Sequence, residues 1–160
     1  TKLRNDSMLS FKSFIKEYKV EMPAKGSGLG VSREDMPQVE AKDYDAYIRY
    51  LKNRKITLTQ GEMNPDDLKP IQKDFHKGGV ERALDKMITA IKNGEKFKPI
   101  IVSKDNYVID GHHRWIAHKN ARMMIPVMKS NVNMNKLLNV THDFPQVKYK
   151  EIGTNKVIKK

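Results

Sequence analysis

Residues 110–115 read Asp-Gly-His-His-Arg-Trp, which sets a carboxylate, two imidazoles and a guanidinium at one glycine turn. Gly111 can adopt backbone angles closed to other residues, so a strand ending at Asp110 can break sharply into a helix. A helix start offers N–H groups without intrahelical acceptors and the positive end of the helix dipole, and both favour a bound phosphate. Arg114 adds a planar, permanently charged donor suited to phosphate oxygens. His112 and His113 could donate hydrogen bonds or shuttle protons. Asp110 is out of place in a pure anion site, because a carboxylate repels phosphate. It fits better as a ligand for a divalent cation, as the acceptor of a substrate proton, or simply as the cap of the helix. Trp115 reads as packing, and His118 as a surface residue or a satisfied partner. His76 and His142 stand apart, and no zinc pattern such as His-Glu-x-x-His occurs.

The flanking sequence predicts what positions this turn. Residues 98–103 (KPIIVS) and 107–110 (YVID) read as two strands joined by a polar turn, a hairpin running straight into a helix at 112–120. MMIPVM at 123–128 reads as a further buried strand. Val80, Leu84, Met87, Ile88 and Ile91 share one face of a helix at 80–93, with Asn93-Gly94 as its stop. Between 41 and 54, Tyr44, Tyr47, Ile48 and Leu51 repeat at helical spacing. Such a stripe is more often core than a stacking surface for nucleic acid. ITLTQ at 56–60 alternates like a strand, and the stretch from Gly61 to Phe75 is turn-like, with Pro65 and Pro70 blocking a helix. A last helix around 133–140 and a basic tail follow. This order predicts an α+β fold, a small mixed sheet with flanking helices.

At the other end, Phe11, Phe14, Ile15 and Tyr18 share a helical face within residues 8–18, either folded on the domain or docking a protein partner. Residues 22–38 are rich in Gly, Pro and Ser and read as a linker or extended loop. Their GSGLG lacks a preceding strand and a following Gly-Lys-Ser/Thr, so it is no phosphate loop. The chain thus divides into an arm and linker (1–40), a domain (41–130), and a C-terminal helix with its tail (131–160). Met8 could be a natural start, with TKLRNDS a tag or remnant upstream, or the chain could be processed.

Composition narrows the partners. Lys plus Arg number 31 against 19 Asp plus Glu, a net charge of +12, which favours nucleic acid, nucleotide or another anion. With no cysteine, disulfides, thiolate chemistry and Cys-ligated zinc are excluded. No apolar run approaches the roughly 20 residues that span a bilayer, and the charged first twenty residues argue against a secretory signal. The expectation is a cytoplasmic protein with no membrane partner.

The stretch from Lys98 to Met128 resembles the central motif of the ParB/sulfiredoxin superfamily, in which a strand, a charged turn and a helix precede an Ile-Pro strand. The helix at 80–93 and the upstream LKPIQKDF are similar to the family order, and the likeness spans about residues 55–130. It implies nucleotide phosphates bound at the turn, with ATP or CTP and Mg²⁺ as cofactors. ParB proteins hydrolyse CTP while gripping DNA, sulfiredoxins use ATP to repair a peroxidase, and free serine kinases phosphorylate serine. Other relatives are DNases or ATPases. His112 stands where sulfiredoxins carry the catalytic cysteine, so sulfinic-acid repair is not expected. The Glu-Arg-Arg of chromosome-partitioning ParB is missing, and no clear helix-turn-helix follows.

DGHHR is most similar to the free serine kinases and to small ParB-like proteins of phages, which implies a phage-encoded protein in the host cytoplasm. On this resemblance His113 and Arg114 hold phosphates, Gly111 shapes the turn, and Asp110 is the carboxylate near the transferred group and the metal. Glu62 resembles the upstream acidic base, with Asp66 or Asp67 competing for that role. Lys77, Arg82 and Lys86 either reach phosphates or form a solvated face. The leading expectation is a nucleotide-binding domain that hydrolyses or transfers phosphate near nucleic acid, as an ATPase, a CTPase or a metal-dependent nuclease. A small-molecule kinase and a non-catalytic DNA-binding or phage assembly module are the alternatives.

Overall fold

A computed structural model describes residues 20–23, 28–72, 80–150 and 157–158. The helix predicted at 8–18 and Lys77 lie outside the described residues. The α+β class holds. Helices α1 (Tyr44–Lys52), α2 (Val80–Lys92), α3 (His112–Ala121) and α4 (Met134–His142) surround a sheet of β1 (Leu58–Met63), β2 (Lys69–Pro70), β3 (Ile100–Val102), β4 (Tyr107–Asp110) and β5 (Ile125–Ser130). The strand order is β1-β5-β3-β4-β2, and a separate small ribbon pairs β6 (Tyr149–Lys150) with β7 (Val157–Ile158). The sheet is mixed, as the sequence predicted. β3 runs parallel to β5 and antiparallel to β4, while β1 is antiparallel to β5 and β2 parallel to β4.

The alternation of a strand explains why the short apolar runs are buried throughout. Ile100, Val102 and Val108 point to one face, where Leu84, Ile88 and Ile91 of α2 and Trp115 and Ile116 of α3 close the core. Ile101 and Ile109 point to the other, against Tyr47 and Leu51 of α1 and Met134 and Leu137 of α4. The tyrosine stripe is therefore core. Tyr47 is fully buried, and its hydroxyl meets Thr141 Oγ1 at 2.7 Å, tying α1 to α4.

Three boundaries differ from the sequence reading. β1 runs on through Gly61-Glu62-Met63, a stretch that reads as a turn, because its register with β5 continues unbroken from Leu58↔Ser130 to Met63↔Ile125. A cross-strand partner outweighs weak strand propensity. Pro70 sits in β2 at the edge of the sheet, where a missing N–H costs no ladder bond. β5 begins at Ile125 rather than Met123, because the chain leaves α3 through Arg122 in a left-handed conformation (φ 56°) and exposes Met123 and Met124. The segment read as a linker is extended but packed from Gly28 onward. Val31 bridges to Gln72, Gln38 bridges to Lys148, and Met36 is fully buried.

Candidate phosphate-binding site

β4 ends at Asp110, and α3 starts two residues later at His112, so the whole motif lies at the end of the sheet. Gly111 is the N-cap of α3 with φ 99°, and its carbonyl accepts the first intrahelical bond, from Trp115 N at 3.0 Å. The N–H groups of His112, His113 and Arg114 precede that bond and have no acceptor within the helix. A cleft of about 290 Å³ opens on this turn, lined by Asp110 to Arg114, Ile109, Gln38, Gln72, Met87 and Phe97. Its walls come from the extended N-terminal segment, the exit of β2, helix α2 and the approach to β3.

Each side chain of the motif has a defined job. Arg114 Nη2 faces Asp110 Oδ2 at 3.3 Å, an i,i+4 pair with both side chains mostly buried, and Arg114 Nη1 donates to Lys98 O at 3.0 Å. Asp110 pairs with the guanidinium, and the N-cap of α3 is Gly111, which has no side chain to cap with. That pairing resolves the misplaced carboxylate. Its charge is offset by Arg114, and Lys98 adds a second cation in its field. Burial pushes the Lys98 ammonium below its usual range, Asp110 works against that shift, and Arg114 adds to it. Burial and Asp110 together raise the Tyr44 hydroxyl, which has no hydrogen-bond partner among the described residues.

His112 is buried, and its Nε2 accepts from Ile71 N at 3.1 Å and Gln72 N at 3.4 Å. That fastening gives it a positioning job, apart from the proton shuttling read from the sequence. Trp115 packs in the core as expected and also donates from Nε1 to Pro65 O at 2.8 Å. His118 proves to be the satisfied partner: it is buried, with Nδ1 2.7 Å from Arg114 O and its ring edge-on to Phe97.

Other residues chosen from the sequence are not brought to the turn. Glu62 lies on β1, with β5 and β3 between it and β4, so about 14 Å of sheet separates it from the motif strand. It lines a different hollow, with Lys129 and Asn131, and is corrected as a base for this site. Arg82 and Lys86 are exposed on α2, and the helix gives Met87 to the cleft instead. Asp66 borders a separate 430 Å³ hollow with Glu21, Lys119 and Arg122. The residues missed were Gln38, Gln72, Phe97 and Lys98. Only Phe97-Lys98, directly before Pro99 at the hairpin entrance, carried a signal; the two glutamines arrive through tertiary contacts.

Residues 49–142 match the ParB N-terminal domain family, more than half of the chain. The chain belongs to that family. A solved Pnob8-like ParB-N domain is similar over 54% of this chain at 17% identity and a TM-score of 0.41, and the chain spans 35% of that chain's length. No curated protein matches. As a ParB N-terminal domain the chain places its charged turn where the sequence resemblance expected it. No helix of the described residues is long and apolar enough to cross a membrane.

The His118 environment makes a pH prediction. Burial, with Arg114 nearby, lowers its proton affinity in the folded state, while the bond to Arg114 O works the other way. The unfolded chain takes up its proton near pH 6.5, before the folded one does, so stability is full above that value and falls as pH drops below it. Melting temperature is expected to fall between about pH 7.5 and 5.5, and to fall less in His118→Asn. Equal losses in both proteins would remove His118 as the cause.

Proposed function

We propose that this ParB N-terminal domain binds a nucleoside triphosphate, ATP or CTP, with its phosphates at the Gly111 turn, and hydrolyses or transfers phosphate in association with nucleic acid. The observation that carries this reading is the cleft itself. The N-terminus of a ten-residue helix, a half-buried imidazole and a charge-compensated guanidinium all border one opening. Such a helix start favours an anion through its N–H groups and dipole together. The cleft suits phosphates better than a whole nucleotide, being at the lower limit of ligand-pocket volumes. Base and sugar extend past Phe97 and Gln38 toward solvent.

Among the described residues no three His, Asp or Glu side chains gather as a metal cage. Among the described residues Asp110 is the carboxylate that borders the cleft. This suits Mg²⁺ held mainly by the phosphates, with Asp110 as a protein ligand, and the ion would neutralise phosphate charge there. The chain's own residues bind and orient: backbone N–H groups and His113 grip the phosphates, and Arg114 holds Asp110 in place.

Calorimetric titration with ATP and with CTP, each with Mg²⁺, tests this. His113→Ala is expected to weaken binding at least tenfold without lowering the melting temperature. Arg114→Ala should abolish binding, but it also frees the Asp110 and Lys98 partners, so Arg114→Lys is run beside it. Unchanged affinity in both His113→Ala and Arg114→Ala overturns the assignment.

A further inference from the structure

Among the described residues, lysines and arginines gather at the end of the sheet away from the Gly111 turn. β3 and β5 finish at this end, while β1, β2 and β4 begin there. Helix α1 delivers Lys52 and, in the turn after it, Arg54 and Lys55, just before β1. Lys69 opens β2, Lys104 sits in the β3–β4 turn, Lys129 is near the end of β5, and Lys136 lies in the first turn of α4. All but the half-buried Lys129 are exposed.

The carboxylates that the same elements bring are few. Asp67 precedes β2 by two residues, and Asp105 is engaged, accepting from Ser103 Oγ and from Met134 N at the start of α4. The ion pairs seen among the described residues, Lys42–Glu40 and Arg114–Asp110, lie elsewhere. Several of the cations are also held in place. Arg54 rests 3.6 Å over the Tyr50 ring and donates to Tyr50 O; Lys69 sits 4.3 Å from the Tyr107 ring; Lys129 Nζ donates to Asn106 Oδ1 at 2.8 Å. Held cations lose less side-chain entropy when they meet a partner.

We infer that this end of the sheet is a sequence-independent binding surface for the phosphate backbone of duplex DNA. It rests on the nucleic-acid part of the proposed function and places that contact away from the cleft, so nucleotide and DNA can be held together. Charges contributed by five separate elements suit a repeating row of phosphates better than a single small anion. A membrane surface fits less well. Peripheral binding needs apolar side chains to insert, and among the described residues the exposed large hydrophobics, Leu29, Met123 and Met124, stand at the opposite end. Amide side chains interleave here instead, Asn53, Asn106, Asn131 and Asn133, which suit phosphate and sugar oxygens.

The test is fluorescence anisotropy of the full chain with a duplex of about 25 base pairs, titrated between roughly 50 and 200 mM salt. The double variant Lys104→Glu/Lys136→Glu is expected to flatten the slope of log K against log salt by about 2 and to weaken binding at least tenfold. The control, Lys92→Glu/Lys96→Glu, makes the same change of charge on and after α2 and should move affinity less than threefold. Glutamate in the first turn of α4 agrees with the helix dipole, so the test variant should fold, and a melting curve checks it. Equal loss in test and control overturns the surface while leaving DNA binding in place. No salt-dependent DNA binding by the unaltered chain overturns the nucleic-acid reading as well. Tighter binding to polyglutamate or to phosphatidylserine vesicles than to DNA assigns the surface to another partner and overturns the inference. The nucleotide titration is unaffected by any of these results, so the two proposals fail separately.

Discussion

Gly111→Ala is expected to destabilise the domain by about 3–5 kcal/mol, out of a total of roughly 5–15, and to abolish nucleotide binding. Two costs add at this position. A φ of 99° is strained for any residue with a side chain. In addition, a Cβ would stand 2.4 Å from Ile100 Cγ2 and 2.8 Å from Arg114 Nη2. Ile100 is fully buried in the central strand and has nowhere to retreat. The guanidinium could shift, but only by giving up Asp110 or Lys98 O. Gly94 separates the two costs. It has φ 87° in the turn that ends α2, yet a Cβ there meets nothing within 4 Å. Urea unfolding should therefore show Gly94→Ala losing only the backbone part, about 1–2 kcal/mol, and Gly111→Ala clearly more. Equal midpoints for the two variants would mean that the contact between the turn and Ile100 does not limit the site.

Those two glycines also show what was legible in the sequence. Both turns, the stop at Gly94 and the strand-to-helix break at Gly111, were visible, because a left-handed backbone angle leaves a strong local mark in residue choice. The hairpin, α2 and the Gly111 turn were legible for the same reason: each is dictated by neighbours in sequence. The edge of β1 was not. Gly61-Glu62-Met63 has no strand character of its own, and β5, more than sixty residues later, imposes it. Glu62 was therefore placed by analogy of order along the chain, and the strand order carried it to the far side of the sheet. The charge excess was plain from composition, but its concentration was not. Lys52, Lys104 and Lys136 are scattered in sequence and meet only because three turns share one end of the sheet.

His112→Ala is expected to cost about 3–4 kcal/mol, more than any change at His113, although the two histidines are neighbours in one motif. His112 is buried, whereas His113 is partly exposed along the cleft. Removing the His112 ring leaves the N–H groups of Ile71 and Gln72 without this acceptor and opens a void beside Ile71, which is fully buried. Two further variants divide the loss. His112→Phe keeps a ring and removes the acceptor, so it should show the cost of orphaned donors, about 2–3 kcal/mol. His112→Gln offers an oxygen near the position of Nε2 and should recover roughly half of the alanine loss. The readout that separates positioning from catalysis is nucleotide turnover measured beside urea unfolding. A proton shuttle would be lost in His112→Gln even where folding is kept. A positioning residue predicts turnover that follows stability, with partial rescue by glutamine and a rise in KM as the Gln72 wall of the cleft loosens. An Nε2 that accepts two backbone N–H groups has no proton there to give, so the geometry favours positioning. The first histidine of the motif fastens the exit of β2 to the start of α3, and that contact holds one wall of the cleft against the turn that the second histidine faces.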